Sequence, residues 1–543
     1  MLLFRRRRMR ARAAVREAAR TGVTVLDRRL PVSESAKVLL RKAFPDHWSF
    51  LLGEIALYSF VVLVLTGTWL TLFFEPGTKQ APYQGSYVPL DGLPVSAAYD
   101  STLHISFEVR GGLLVRQMHH WAALLFLAAI GVHMLRIFFT GSFRRPREVN
   151  WMIGVLLFLL ALLEGFCGYS LPDDLLSGTG LRTANTIVMS IPVVGTYLAF
   201  FLWGGSFPGH LLNQRLYIMH VLFVPGALIA LITAHLILVF YLKHTQWSGP
   251  GRTNRNVVGQ PMFPHFVAKS TGLFFIVAAL LAVLGAVAQI NTVWAYGPFR
   301  GDQVSTGAQP DWYVGFLEGA MRLMPPWETT VAGHTVMWNV FLPAVVLPGV
   351  LFGLLFCYPL VERWITGDRG ERHLCDRPRD VPVRTAFGVA AVVAYAVLLA
   401  AGGNDVTAFS FRLSVNALTW VFRVGFFVFP VLAFMVTKRL CLALQSHELQ
   451  VLTQGEETGE VTQQVHGAME PGHAPADPRR LYRFLVRDLP SPEPPPGPGV
   501  PRRRRLRAAA SRWYFRQRVS LPVTPEQQRD IDEALAQPER RAP

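Results

Sequence analysis

Long apolar runs separated by polar, arginine-marked loops dominate this chain. A helix that crosses a bilayer needs about 20 predominantly apolar residues to cover ~30 Å of hydrocarbon. Eight stretches meet that length, at about 49–74, 117–139, 151–171, 216–242, 268–290, 336–360, 385–403 and 414–437. A further run, 184–203, is apolar but broken by Pro192 and Gly195, so it predicts a surface or interfacial helix pair rather than a crossing. The pattern predicts an all-α integral membrane protein with eight transmembrane helices. It divides into a basic arm (1–45), a first group of four spans (46–245), a second group carrying one long loop (246–440), and a polar tail (441–543). The tail holds Pro494–Pro496, an Arg502–Arg505 run and many glutamines, and reads as largely disordered and solvated.

Composition narrows the class. The chain is 51% hydrophobic and only 16% charged, with mean hydropathy +0.30, which excludes an ordinary soluble enzyme. Its net charge of +17 would suit nucleic acid, but the arginines sit between apolar runs rather than on one domain, so a lipid membrane is the expected partner. Positive loops mark the cytoplasmic side: Arg144, Arg145 and Arg147; Lys243, Arg252 and Arg255; and Arg363, Arg369, Arg372, Arg377, Arg379 and Arg384. The intervening loops are longer and sparser, with Lys79, Arg110, Arg182, Arg215, Arg300 and Arg322. Both termini are thus expected in the cytoplasm. No apolar region follows Arg5–Arg8 for some thirty-five residues, which favours a basic arm over a twin-arginine signal. Cys167, Cys357, Cys375 and Cys441 fit no zinc or haem-attachment spacing and read as free thiols.

Ionisable side chains inside spans are costly and point to function. The second span carries His119, His120 and His133; the fourth carries His220 and His235. His119 and His133 are 14 residues apart, roughly 3.9 turns and ~21 Å, so both leave one face near opposite membrane edges. His220 and His235 are 15 apart, close to 4.2 turns, with Pro225 between them. A lone histidine of this kind is usually a packing residue. Two pairs at matched spacing predict His119 opposite His220 and His133 opposite His235, each pair clamping a haem iron. His120 lies about 100° off that face and is expected to be no ligand. Gly53 and Gly67 in the first span, and Gly154 and Gly168 in the third, repeat at the same 14-residue period. Small-residue helix packing would explain them individually; the shared period favours a haem plane resting on backbone. Arg116, three residues before His119, is placed for a haem propionate.

With these features in place, the chain resembles the cytochrome b family. The resemblance rests on the paired glycines and histidines, on Gly168-Tyr169-Ser170-Leu171-Pro172 and on Pro310-Asp311-Trp312-Tyr313, and covers roughly 45–440. The 15-residue histidine spacing is similar to the chloroplast-type branch, but all eight spans lie in one chain here. Leu51 stands where that branch has a haem-linking cysteine, so no third haem is expected. Asp311 and the Asp376-Arg377-Pro378-Arg379-Asp380 loop look most like the actinobacterial form. The resemblance implies a bundle of the first four helices holding two non-covalent b-type haems, in a bacterial cell membrane. It implies quinol oxidation on the outer side, with menaquinone as the quinone. One electron passes to a Rieske iron–sulfur subunit. The other passes through the outer and inner haems to an inner quinone, coupled to proton translocation. A cytochrome c subunit, a homodimeric assembly and association with a terminal oxidase are implied partners.

The family's outer site implies roles for Pro310, Asp311, Trp312 and Tyr313, with Gly180 lining the same pocket. Asp311 is one methylene shorter than the family's usual glutamate, so water or Tyr313 would extend the proton route. A Pro-started turn in an aromatic belt would explain the tetrapeptide alone; the histidine framework favours the catalytic reading. The inner quinone site is less legible: Lys269 and Ser270 stand where the family has a carboxylate, and Lys243 and His244 flank the fourth span's end. Two other classes remain. A dihaem anchor of a nitrate reductase or hydrogenase has fewer spans and lacks the tetrapeptide. A transporter would use its histidines in a proton path and bind no haem.

Overall fold

The computed structural model describes Glu17 and residues 32–249, 251–305, 309–475 and 492–516. The arginines of the N-terminal arm that precede Arg41 lie outside the described residues, as do 476–491 and 517–543 of the tail. Eight helices are long and apolar enough to cross a membrane: Leu52–Leu70, Gly112–Phe139, Glu148–Tyr169, Leu212–Leu242, Met262–Val287, Trp338–Thr366, Pro382–Gly402 and Val415–Gln454. They coincide with the eight apolar runs. The interrupted run becomes two helices, Leu175–Met189 and Gly195–Trp203, joined through Pro192. The first of these starts nine residues earlier than the apolarity suggests, because Asp174 accepts from the backbone N–H groups of Leu176 and Ser177 and caps it.

The first four spans enclose a core of Phe126, Leu127, Trp151, Val155, Ala161 and Leu228. The second span is fastened to the end of the fifth by Gln117, which donates to Ile290 O and accepts from Ile290 N, both at 2.9 Å. Trp121 adds a bond from its indole N–H to Ala288 O. At one end of the bundle, Tyr99 donates to Val293 O and Phe299 N to Asp173 O, gathering the long loops. At the other end lie the three arginine-rich loops. Gln246 exchanges backbone bonds with His373 and Cys375, and Arg144 pairs with Asp376.

The fourth span contains a π turn, Met219–Phe223, in which Val224 N–H reaches back to Met219 O. Such a turn absorbs one extra residue. This is why the 15-residue His220–His235 interval matches the 14-residue interval of the second span. The eighth span continues well past 437, through the expected boundary at 440, to Gln454. Cys441, Gln445, Glu448 and Val451 form one buried stripe on that extension. Glu448 receives Arg377 and Arg379, each at 3.3 Å. Beyond it the tail has more local structure than its composition suggests: a hairpin of Glu456–Gln463 with Met469–Ala474, and a helix, Arg502–Tyr514. That helix buries Ala508, Ser511 and Tyr514 against the chain and leaves Arg502–Arg505 exposed.

Candidate functional site

The His119 and His220 rings stand with centroids 6.0 Å apart and nearly perpendicular. Both direct their Nδ1 atoms outward from the pair: His119 Nδ1 is 2.9 Å from Thr66 Oγ1, and His220 Nδ1 is 3.0 Å from Glu164 Oε1. These contacts engage Nδ1 in both rings, so Nε2 is the nitrogen each ring could offer to a cofactor's metal. Toward the opposite membrane edge, His133 and His235 are close enough to interact electrostatically, and each has a buried Nδ1 with no side-chain partner.

The four glycines sit where these rings need space. A Cβ on Gly67 would stand 3.1 Å from His119 Cε1, on Gly53 3.1 Å from His133 Cε1, and on Gly168 2.5 Å from His220 Cε1. On Gly154 it would lie a relaxed 3.9 Å from His235 Cε1. At Gly53, Gly67 and Gly168 the neighbour accommodated is an imidazole edge, whereas Gly154 has room to spare.

A cavity of about 680 Å³ opens beside His119 and His220, a volume that suits a cofactor or ligand of drug-like size or larger. Arg116, His120, Glu164, Asp311 and Tyr313 border it. Arg116 donates to Asn291 O and keeps a buried Nε without a partner. Arg136, one turn beyond His133, likewise has a buried unpartnered Nε; it was not singled out in the sequence. Among the described residues no three His, Cys, Asp or Glu side chains converge as a metal-ion site. Paired imidazoles, imidazole-fitted glycines and orphaned guanidinium N–H groups at both levels fit two haems with propionates.

The tetrapeptide folds into the loop before a short helix, Gly315–Leu323. Tyr313 is buried and donates from its phenol to Asp311 Oδ2 at 3.0 Å. Gly165 makes room for it: a Cβ there would lie 2.7 Å from the phenol oxygen. Burial, and after it the Asp311 charge, pushes the Tyr313 phenol well above its ordinary range, so it remains a donor. His120, set aside as a ligand, has Nε2 3.7 Å from the same Asp311 oxygen. Pro310, Trp312 and Gly180 do not border the cavity. Trp312 is exposed, and Gly180 stands behind Tyr169, whose ring edge would be 3.5 Å from a Cβ there.

At the His133 end, the four residues considered for a second site separate. Lys269 pairs with Asp46 at 2.6 Å, both half exposed, and Lys243 is exposed at the end of the fourth span. Ser270 instead enters a cluster missed by the sequence reading: it donates to Glu54 Oε2 at 2.5 Å and bonds the Tyr58 hydroxyl. Glu54 follows Gly53 in the first span, and a lone carboxylate near the start of an apolar run was the available signal. His244 packs on Phe44, which stacks on Phe266, one turn before Ser270. Burial, then Lys42 and Arg147, lowers the His244 imidazole to about 4, so it is neutral at ordinary pH, with Nε2 unpartnered.

Residues 124–298 match the family described as cytochrome b(N-terminal)/b6/petB. The chain is 52% identical over 514 residues to the cytochrome bc1 complex cytochrome b subunit of Streptomyces coelicolor, covering 93% of this chain and 94% of that one. It is 50% identical to the subunit of the same name from Corynebacterium efficiens (83% of each chain) and 51% identical to that of Mycobacterium tuberculosis (83% and 82%). A solved structure titled "Hyperthermophilic respiratory Complex III" shares the fold, with TM-score 0.58 and 20% identity over 77% of this chain and 99% of that one. The chain therefore belongs to the family of cytochrome b subunits of the actinobacterial cytochrome bc1 complex.

Proposed function

We propose that this chain is the catalytic, quinol-oxidising subunit of a menaquinol–cytochrome c oxidoreductase in a bacterial plasma membrane. The arginine-rich end lies in the cytoplasm with both termini, and Rieske and cytochrome c subunits are its partners. The observation that carries the reading is the meeting, in one cavity, of the His119–His220 pair with the hydrogen-bonded Asp311–Tyr313 couple.

His119 and His220 would hold one haem and His133 and His235 the other, with Arg116 and Arg136 receiving propionates. Haem, when bound, supplies one-electron redox chemistry at each level. The chain's own residues handle position and protons. Asp311 accepts a quinol proton at the cavity wall, and Tyr313 fixes the carboxylate through its phenol O–H. His120, 3.7 Å from the same Asp311 oxygen, continues the polar path. Quinol oxidation here delivers one electron to the Rieske partner and the other inward, and the protons leave on the outer side. Glu54, Tyr58, Ser270 and His244 form the inner quinone site, where Glu54 supplies a proton and neutral His244 a hydrogen bond.

The test is quinol-driven cytochrome c reduction by the purified complex. Asp311→Asn should slow it by about 10²-fold or more with haem content unchanged; unaltered turnover would remove Asp311 from the proton path. Glu54→Gln should leave the first oxidation of quinol intact and slow quinone reduction at the inner site.

A further inference from the structure

The two histidine levels differ in the charges around them. Glu164 lies one turn before Gly168 in the third span and borders the outer cavity. Its Oε1 is 3.0 Å from His220 Nδ1, off the ring's N–H axis, so the contact is chiefly electrostatic. Its Oε2 is buried and has no hydrogen-bond partner. A carboxylate in a membrane span is expensive unless something positive faces it, and among the described residues the polar group facing its Oε1 is the His220 imidazole. Among the described residues no carboxylate pairs with His133 or His235, whereas an arginine lies one turn from a histidine at both levels, Arg116 before His119 and Arg136 after His133, so the carboxylate is what distinguishes them.

A carboxylate beside a ligating imidazole raises the ligand's basicity and stabilises the more positive, oxidised iron. Within low-dielectric surroundings such a charge acts strongly over a few ångströms.

We propose that Glu164 is a positioning residue for His220 that lowers the reduction potential of the haem held at the His119–His220 level. This rests on the haem assignment made above, so the experiment separates the two. Redox-titrated absorbance and low-spin ferric EPR are recorded on the purified complex carrying Glu164→Gln or Glu164→Asp, after haem content is measured. Glu164→Gln should raise the outer midpoint and shift its EPR signal while the inner midpoint stays fixed; Glu164→Asp should give a smaller shift the same way. Full haem content with both midpoints unmoved, or both moved equally, overturns the proposal. Should the variants lose the outer haem, redox-difference infrared spectra of the wild-type complex decide: a carboxylate band must titrate with the outer haem, and a silent carboxylate region overturns the assignment. Fewer than two haems in the wild-type complex would instead defeat the reading beneath it.

Discussion

Gly168 and Gly154 hold corresponding places in the third span, yet a methyl group would meet different surroundings at each. At Gly168 it would press to 2.5 Å of His220 Cε1, whereas at Gly154 it would find ordinary contact at 3.9 Å. Overpacking of the first kind costs typically about 1–3 kcal/mol and displaces the ring. Gly168→Ala should therefore lose most of the outer-level b absorbance and keep the inner, and Gly154→Ala should keep both. Equal spectra for the two variants would contradict the ring-fitting role. At this scale the sequence placed residues on helix faces better than it placed their contacts. The histidine and glycine periods were legible because helix geometry fixes them. The contacts of Glu164, Gly165 and His120 were not, because they depend on how helices rotate against one another and on a loop more than a hundred residues away. Lys269 and Ser270, adjacent in sequence, part company for the same reason: successive residues on a helix point about 100° apart.

Among the elements, the fourth span was legible in extent but not in winding. Pro225 suggested a bend; the π turn at Met219–Phe223 is what reconciles the unequal histidine intervals. The eighth span shows the complementary lesson. Hydropathy ends a span where the membrane ends, but the helix continues as long as one stripe can be buried. Its extension is held by Glu448, almost fully buried beneath Arg377 and Arg379. Glu448→Ala should cost about 1–3 kcal/mol and lower the thermal midpoint of the purified protein. An unchanged midpoint would show the extension to be held by its apolar contacts alone.

Across the whole molecule, arginines read as topology markers also fasten the two halves together. Arg384, 1% exposed, donates to Glu362 at 2.9 Å and to Asp376 at 2.6 Å, and Arg144 reaches Asp376 at 2.8 Å. A small cavity of about 30 Å³ adjoins this cluster, and Tyr514 of the tail helix closes over it. Burial alone would raise the Asp376 carboxyl, but Arg144 and Arg384 outweigh it and hold it below the ordinary carboxylate range. A depressed carboxyl stabilises the fold fully above its unfolded value of about 3.9, and that contribution fades as pH falls through the lower folded value. The thermal midpoint should thus exceed that of Asp376→Asn by a constant margin from about pH 5 to 7, and the margin should shrink only below about pH 4. A margin absent at neutral pH would show that the clasp contributes nothing. The spans and the gathering of the arginine-rich loops at one end followed from apolarity and charge, which act along the chain. This clasp did not, because no local pattern pairs a loop aspartate with a distant arginine.

The central claim is that two haems are held at two levels by His119 with His220 and His133 with His235. A pyridine haemochrome assay on the purified protein, run beside His220→Ala, tests it most directly. The account predicts two b-type haems per chain in the wild type, and one in the variant with the inner level retained. A wild-type value of one or none, or a variant that still carries two, would contradict it.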